Sequence, residues 1–168
     1  MTQVKKAPKK TESKNSKSPK EIVGVLGLGI MGSAISSNLL NAGFDVIGFD
    51  PSLACQKRLL KAGGRVAKSP VELGKQAKYI ISSLPSAKAL IENAKAIAAS
   101  GKKGLIIAEA STLDLEDKMA AKKILDAKGI ILLDCPLSGT GAQAKTKDLS
   151  IYSSGLAGAV KKIEHVFF

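Results

Sequence analysis

Short apolar runs alternate along the chain with longer segments that carry apolar residues every three or four positions. The first pattern is typical of buried strands and the second of amphipathic helices. The predicted strands are 22–26, 45–49, 65–67, 79–84, 105–109 and 130–134, with a shorter one at 149–153. The predicted helices are 31–42, 52–62, one that opens at Ser69-Pro70, 86–99, 114–128 and 156–166.

This alternation predicts the fold class. Single helices between strands favour right-handed βαβ crossovers and a parallel sheet. The strands are apolar throughout, as expected when helices cover both faces of the sheet. We therefore predict an α/β, doubly wound Rossmann fold with a mostly parallel sheet over residues 21–168.

The first 20 residues have a different composition. They hold seven lysines and one glutamate and have no periodic apolar face. Such a segment is predicted to be a disordered, lysine-rich tail. It resembles neither a signal peptide nor an arginine-rich presequence, so we expect a cytoplasmic protein. The KKAPKK run leaves open a role in nuclear import or in binding a polyanion.

Length and charge limit the function classes. A chain of 168 residues is one ordinary domain, and no apolar run reaches the roughly 18 residues that cross a bilayer. The net charge is +12, but half of the excess lies in residues 1–20, and only Arg58 and Arg65 are arginines. Because bidentate phosphate binding relies on arginine, the charge does not favour a nucleic-acid partner.

The metal-binding residue types are scarce. Cys55 and Cys135 are isolated, and His165 is the single histidine. This set predicts no zinc site, no disulfide framework and no histidine-based triad.

The sharpest motif is a glycine pattern directly after the first predicted strand. In GLGIMG, Gly27 permits a tight turn, Gly29 lets a pyrophosphate approach the backbone, and Gly32 lets the helix pack close to the strand. The free N–H groups at the helix start then point at the diphosphate. The residues predicted to bind the cofactor here are Gly27, Leu28, Gly29, Ile30, Met31 and Gly32.

An acid at the end of the second strand completes this pattern. Asp50, followed by Pro51 and Ser52, is placed to accept hydrogen bonds from the adenine ribose. A carboxylate there repels a 2′-phosphate, and no arginine follows directly, since Lys57 and Arg58 lie within the next helix. The residues favour NAD over NADP. The alternative to a cofactor site is a Rossmann-like domain in which the glycines serve only packing.

Two further strand ends are expected at the same edge of the sheet. Leu84 and Pro85 close the fourth strand, and Thr112 follows the fifth. Ligands of open α/β sheets bind outside the carboxyl ends of the strands. Thr112 is placed to bind the nicotinamide ribose or carboxamide, or to cap the helix that begins near Asp114.

Four ordered blocks of this sequence resemble the β-hydroxyacid dehydrogenases, the family of 3-hydroxyisobutyrate dehydrogenase and of the 6-phosphogluconate dehydrogenase N-terminal domain. The blocks are GLGIMGSAISSNLLNAGFDVIGFDPS, SSLPSAKAL, EASTLDLED and LDCPLSGTGAQAKTKDLSIYSSG. The resemblance implies reversible hydride transfer between a nicotinamide cofactor and a small 3-hydroxy acid. It implies that Leu84, Pro85 and Thr112 contact the nicotinamide half, and that the substrate carboxylate is bound by Ser138, Gly139 and Thr140.

The chain departs from the family pattern at three points. Thr140 replaces a usual glycine, and Lys147 stands where the family has another. The family's proton-transferring lysine lies on a helix of a second, helical domain, and none of the lysines in residues 1–168 matches its context. We therefore expect the cofactor domain of a longer enzyme, one that forms a homo-oligomer through its helical domain and is inactive as these 168 residues alone.

Two other function classes stay open from the sequence. One is a non-catalytic dinucleotide-binding module, and the other is a nucleic-acid-associated protein recruited by its basic tail.

Overall fold

Six parallel strands form the centre of the molecule in the computed structural model, which describes residues 20–167. The strands are β1 (Ile22–Leu26), β2 (Asp45–Phe49), β3 (Arg65–Val66), β4 (Tyr79–Ser82), β5 (Ile106–Glu109) and β6 (Ile131–Asp134). Their spatial order is β3-β2-β1-β4-β5-β6. The chain reverses its winding direction between β1 and β4, which opens a crevice at the carboxyl ends of these strands. The predicted disordered tail lies, apart from Lys20, outside the described residues.

Helices cover both faces of this sheet. They are α1 (Ile30–Asn41), α2 (Leu53–Lys61), α3 (Pro70–Gln76), α4 (Ala87–Ala98), α5 (Leu115–Asp126) and α7 (Ala157–Ile163), the last followed by a 3-10 turn, Glu164–Val166. Residues of α1, α2 and α7 pack in one core cluster, and residues of α3, α4 and α5 pack in another. Successive strand residues alternate between the two clusters, as Val25 and Leu26 do in β1.

Local signals set the helix starts. Ser52, Ser69 and Ser86 each accept a hydrogen bond from the backbone N–H three residues on, at the N-termini of α2, α3 and α4. These caps satisfy N–H groups that have no partner within the helix. The predicted helices therefore begin within one residue of the observed ones.

The segment after β6 differs from the prediction. The predicted strand 149–153 does not join the parallel sheet: β8 (Ser150–Ile151) pairs antiparallel with β7 (Leu137–Ser138), which the sequence analysis did not predict as a strand. Between them lies α6 (Gly141–Lys145). The backbones of Asp134 and Ser154 exchange two hydrogen bonds, which turn the chain back at the sheet edge. A return this short favours antiparallel pairing, because parallel pairing needs a longer crossover.

The described helices include none that is both long and apolar enough to cross a membrane.

A polar cluster joins the end of the described chain to its beginning, at the amino-terminal ends of the central strands. His165 Nε2 lies 2.6 Å from one carboxylate oxygen of Glu21, and Lys78 pairs with the other. The His165 ring packs edge-on against Tyr79, with 5.6 Å between the ring centroids. Partial burial acts to raise the pKa of Glu21, but the hydrogen bonds from His165 and Lys78 outweigh it and hold the pKa below its usual 4.5.

A carboxylate with a lowered pKa in the folded state stabilises the fold above its unfolded pKa, and this stabilisation is lost as the pH falls through the folded pKa. Glu21→Gln should lower the free energy of unfolding by about 1 kcal/mol at pH 6. The difference from the unaltered chain should shrink as the pH falls below 4.5. Urea titrations across this pH range measure it. Glu164→Gln, on the same turn as His165, is the matched control, and an equal effect there would contradict the assignment.

Candidate dinucleotide-binding site

The three glycines of the β1–α1 turn have different surroundings. Gly27 has φ +84°, and a Cβ added there would lie 2.2 Å from the Ser83 carbonyl oxygen. A Cβ on Gly32 would lie 1.9 Å from the Gly27 carbonyl oxygen. A Cβ on Gly29 would meet nothing within 4 Å. Two of the glycines therefore allow close backbone packing, and the third leaves open space at the start of α1.

Asp50 is held by backbone N–H groups of two turns, the one after β1 and the one after β2. Its Oδ2 accepts the Leu28 N–H at 2.7 Å, and its Oδ1 accepts the Ser52 N–H at 2.8 Å. A carboxylate oxygen accepts two hydrogen bonds, so each oxygen retains one acceptor position. The two bonds fix the carboxylate at the end of β2, where the sequence predicts a ribose-binding acid.

Arg58 is a cation near this turn that the sequence analysis did not place there. Its guanidinium donates to the Leu28 carbonyl at 3.3 Å and contacts the Cys55 sulfur at 3.0 Å. Arg58 lies on α2, two turns beyond Asp50, and its side chain extends back to the glycine turn. Only its spacing from Asp50 along a helix could have indicated this.

A cavity of about 650 Å³ lies outside the carboxyl ends of β1, β2 and β4. Eight predicted cofactor residues line it: Gly27, Gly29, Ile30, Met31, Asp50, Pro51, Leu84 and Pro85. Leu26, Phe49 and Ser83 line it at the strand ends, and the structure adds four residues from helices that the sequence analysis missed: Pro70, Ala89, Glu92 and Asn93. The added residues belong to α3 and α4, and their approach to the crevice depends on tertiary packing.

The other four predicted cofactor residues do not line this cavity. Leu28 and Gly32 are buried, and Ser52 is exposed and caps α2. Thr112 is exposed in the loop after β5. Asp114, not Thr112, occupies the N-cap position of α5, so the capping alternative for Thr112 is wrong.

The predicted substrate residues follow β6. Ser138 is exposed in β7, and Gly139 has φ +140°, a backbone conformation that favours glycine. Thr140 begins α6 with a capping box: its Oγ1 accepts the Gln143 N–H, and its own N–H donates to Gln143 Oε1 at 2.9 Å. The N–H of Thr140 is thus already bonded within the loop.

This loop lies beside the cofactor turn. A Cβ on Gly141 would lie 2.4 Å from Cγ2 of Ile30, the first residue of α1. Further along α1, Asn38 Nδ2 donates to the Ala144 carbonyl at 2.7 Å. The fold therefore brings the two predicted ligand-binding segments, 27–32 and 138–140, to the same end of one helix.

Lys147 has the backbone conformation that the family pattern assigns to glycine. Its φ is +61°, the only positive φ of a non-glycine residue among residues 20–167. The Lys147 N–H donates to the Ala144 carbonyl and the Asp148 N–H to the Gln143 carbonyl. This is the Schellman arrangement that ends a helix, in which the left-handed position is usually glycine.

Within residues 20–167, no group of three or more His, Cys, Asp or Glu side chains is arranged to hold a metal ion.

The strand order, the glycine turn and the acid at the end of β2 together define a dinucleotide-binding domain of the Rossmann type. A family profile described as the NAD binding domain of 6-phosphogluconate dehydrogenase matches residues 22–168, and the chain belongs to this family.

Known proteins agree with this assignment. Mitochondrial 3-hydroxyisobutyrate dehydrogenase of Mus musculus is 32% identical over 149 residues, which are 87% of this chain and 44% of that protein. The structure of Mycobacterium tuberculosis 3-hydroxyisobutyrate dehydrogenase with L-serine superposes with a TM-score of 0.84 at 26% identity, covering 88% of this chain and 51% of that one. A complex of Psf3 with NADP+ and 2-OPP gives 0.80 at 26% identity, covering 86% and 52%. The chain spans about half the length of these proteins.

The different surroundings of the glycines predict different effects of a single methyl group. Gly32→Ala should lower the free energy of unfolding by about 3 kcal/mol or more, because backbone must move to admit the Cβ. Gly29→Ala should lower it by less than about 1 kcal/mol, the difference between glycine and alanine at an N-cap. Chemical denaturation of both variants measures this, and equal losses would contradict the packing role of Gly32.

Lys147→Gly should raise the free energy of unfolding by up to about 1 kcal/mol. The substitution removes a left-handed conformation that costs a side chain about 1–2 kcal/mol, offset by the greater chain entropy of glycine. Lys145→Gly, inside α6, is the control and should lower stability by about 0.5–1 kcal/mol. A loss of stability in both variants would contradict this interpretation of Lys147.

Proposed function

We propose that this chain is the NAD-binding domain of an oxidoreductase that transfers a hydride between the cofactor and a small 3-hydroxy acid. The observation that carries the proposal is the Asp50 carboxylate, held at the end of β2 with one acceptor position left on each oxygen. Its charge favours a free ribose 2′-hydroxyl and opposes the 2′-phosphate of NADP.

The described residues fit such a cofactor. The open space beside Gly29, at the free N–H groups of α1, suits a diphosphate. The apolar sides of Pro70 and Ala89 suit the adenine ring, and Leu84 and Pro85, which line the same cavity, suit the nicotinamide half. Bound here, a nicotinamide dinucleotide accepts or supplies the hydride, and the chain's own residues bind and orient it.

The substrate class is proposed from the loop after β6. Ser138 and Gly139 are placed to receive the carboxylate of a small 3-hydroxy acid, while Thr140 holds the loop through its capping box. The M. tuberculosis relative is described with L-serine, a small carboxylate that bears a 3-hydroxyl group, which supports this class. The proton-transferring lysine and the homo-oligomer contacts implied by the family would belong to a second, helical domain.

Two finer points stay predictions. Arg58 lies close to the glycine turn, where its positive charge would favour the 2′-phosphate of NADP. The Psf3 relative is described with NADP+. The preference for NAD therefore depends on the charge of Asp50 outweighing that of Arg58. The cytoplasmic location is also a prediction, because the mouse relative is described as mitochondrial. None of the reported comparisons favours a non-catalytic module or a nucleic-acid partner.

Calorimetric titration of the chain with NADH and NADPH tests the proposal. The unaltered chain should bind NADH more tightly, and Asp50→Ala should weaken NADH binding roughly ten- to hundredfold, the loss of a charged hydrogen bond. Asp45→Ala is the matched control, since Asp45 lies at the opposite end of β2, paired with Arg65. Equal or tighter binding of NADPH by the unaltered chain would contradict the NAD preference, and binding of neither would overturn the dinucleotide function.

A further inference from the structure

A fully buried carboxylate lies between the ends of two central strands. Glu109, the last residue of β5, has no exposed surface, and its register partner on β4 is Ser82. Among residues 20–167, no lysine, arginine or histidine comes within ion-pair distance of it. A carboxyl group in such a place is expensive to bury unless hydrogen bonds replace its water.

Those hydrogen bonds join the two strand ends. The Ser82 hydroxyl bonds to Glu109 Oε2, and Glu109 Oε1 accepts the Ser111 N–H at 2.8 Å. The Ser111 hydroxyl in turn accepts the Leu84 N–H at 2.7 Å. Ser82 and Ser111 are themselves buried. This connected set of Ser82, Glu109 and Ser111 is called the carboxylate network below.

The network joins the loop after β4, which lines the cavity at Leu84 and Pro85, to the loop after β5. Leu84 lies in the loop after β4, and Ser111 directly precedes Thr112 in the loop after β5. A backbone N–H bonded to a buried side chain has little freedom, and a buried network in which every side-chain oxygen has a hydrogen-bond partner fixes one arrangement of the groups around it. Simple strand pairing ends at Ser82 and Glu109, so the network extends order beyond the sheet.

We propose that Glu109 is a positioning residue for the nicotinamide half of the cofactor, acting through Ser111 on the backbone of Leu84 and directly on the turn that carries Thr112. The inference rests on the proposed function for its ligand. Its structural part, the fixing of Leu84 by the network, is independent of any ligand.

Amide hydrogen exchange of the ligand-free chain tests the structural part. The Leu84 amide should be protected in the unaltered chain and should exchange at least tenfold faster in Ser111→Ala, which removes only the acceptor. Glu109→Leu should have the same effect, and Glu109→Gln, which keeps an acceptor for the Ser111 N–H, should restore most of the protection. Unchanged exchange at Leu84 in Ser111→Ala would overturn the proposal.

Ligand titration tests the positioning of the cofactor. NADH carries both halves of the cofactor, whereas ADP carries only the adenosine and the diphosphate. In Ser111→Ala the affinity for NADH should fall about three- to tenfold, the worth of one hydrogen bond, with the affinity for ADP unchanged. If the role is purely structural, the affinities for NADH and ADP should fall equally, and that result would overturn the positioning role. Ser86→Ala, which removes the cap of α4 two residues beyond Leu84, is the matched control and should not change the ratio of the two affinities.

The two proposals fail in different ways. If the unaltered chain binds neither NADH nor ADP, the dinucleotide function is wrong and the positioning role falls with it. If it binds both and the ratio does not change in Ser111→Ala or Glu109→Leu, only the positioning role is wrong.

Discussion

The contact between the first turn of α1 and the backbone of the preceding turn is the constraint on which the site depends. Gly32 lies so close to the Gly27 carbonyl that no side chain fits between them. This contact sets how far α1 can approach β1, and therefore where the free N–H groups of the helix point. The helix dipole can favour a diphosphate only when the helix axis is held in this direction.

Hydrogen bonds from side chains then fix the loops around that turn. Asp50 joins the turn to the start of α2 through the N–H groups of Leu28 and Ser52. The carboxylate network does the same for the loops after β4 and β5. In both places a carboxylate accepts backbone N–H groups at a strand end, but Asp50 keeps accessible acceptor positions whereas Glu109 is fully enclosed. The accessible carboxylate of Asp50 suits contact with a ligand, and the buried carboxylate of Glu109 suits the fixing of the neighbouring loops.

Much of this organisation is predictable from local sequence. Strands β1 and β2 match their predicted bounds, because a run of buried apolar residues between turn signals has few other solutions. The separate roles of Gly27 and Gly32 also follow from the spacing of the motif. The family profile confirmed the family resemblance over residues 22–168, whereas the substrate-binding role of residues 138–140 stays a prediction.

The missed features depend on contacts between distant residues. Arg58 reaches the glycine turn only because α2 packs beside it, and the pairing of β7 with β8 joins segments that are each two residues long. Glu109 ends an apolar run, so its sequence context shows a strand end but not a buried carboxylate. The resemblance implies that Thr140 binds the substrate carboxylate, and it does not show that the side chain and N–H of Thr140 form a capping box with Gln143.

The contacts of helix α1 limit which segments can be exchanged between related proteins. Its first residue contacts the substrate loop at Gly141, and Asn38, two turns later, bonds to the end of α6. The predicted cofactor segment, 27–32, and the predicted substrate segment, 138–140, are thus both positioned by α1. A cofactor turn grafted from a relative would bring its own α1 surface, and the graft would have to include residues 138–145 to preserve the fit. The two predicted ligand-binding segments are therefore not structurally independent in this domain, although they lie more than 100 residues apart in the sequence.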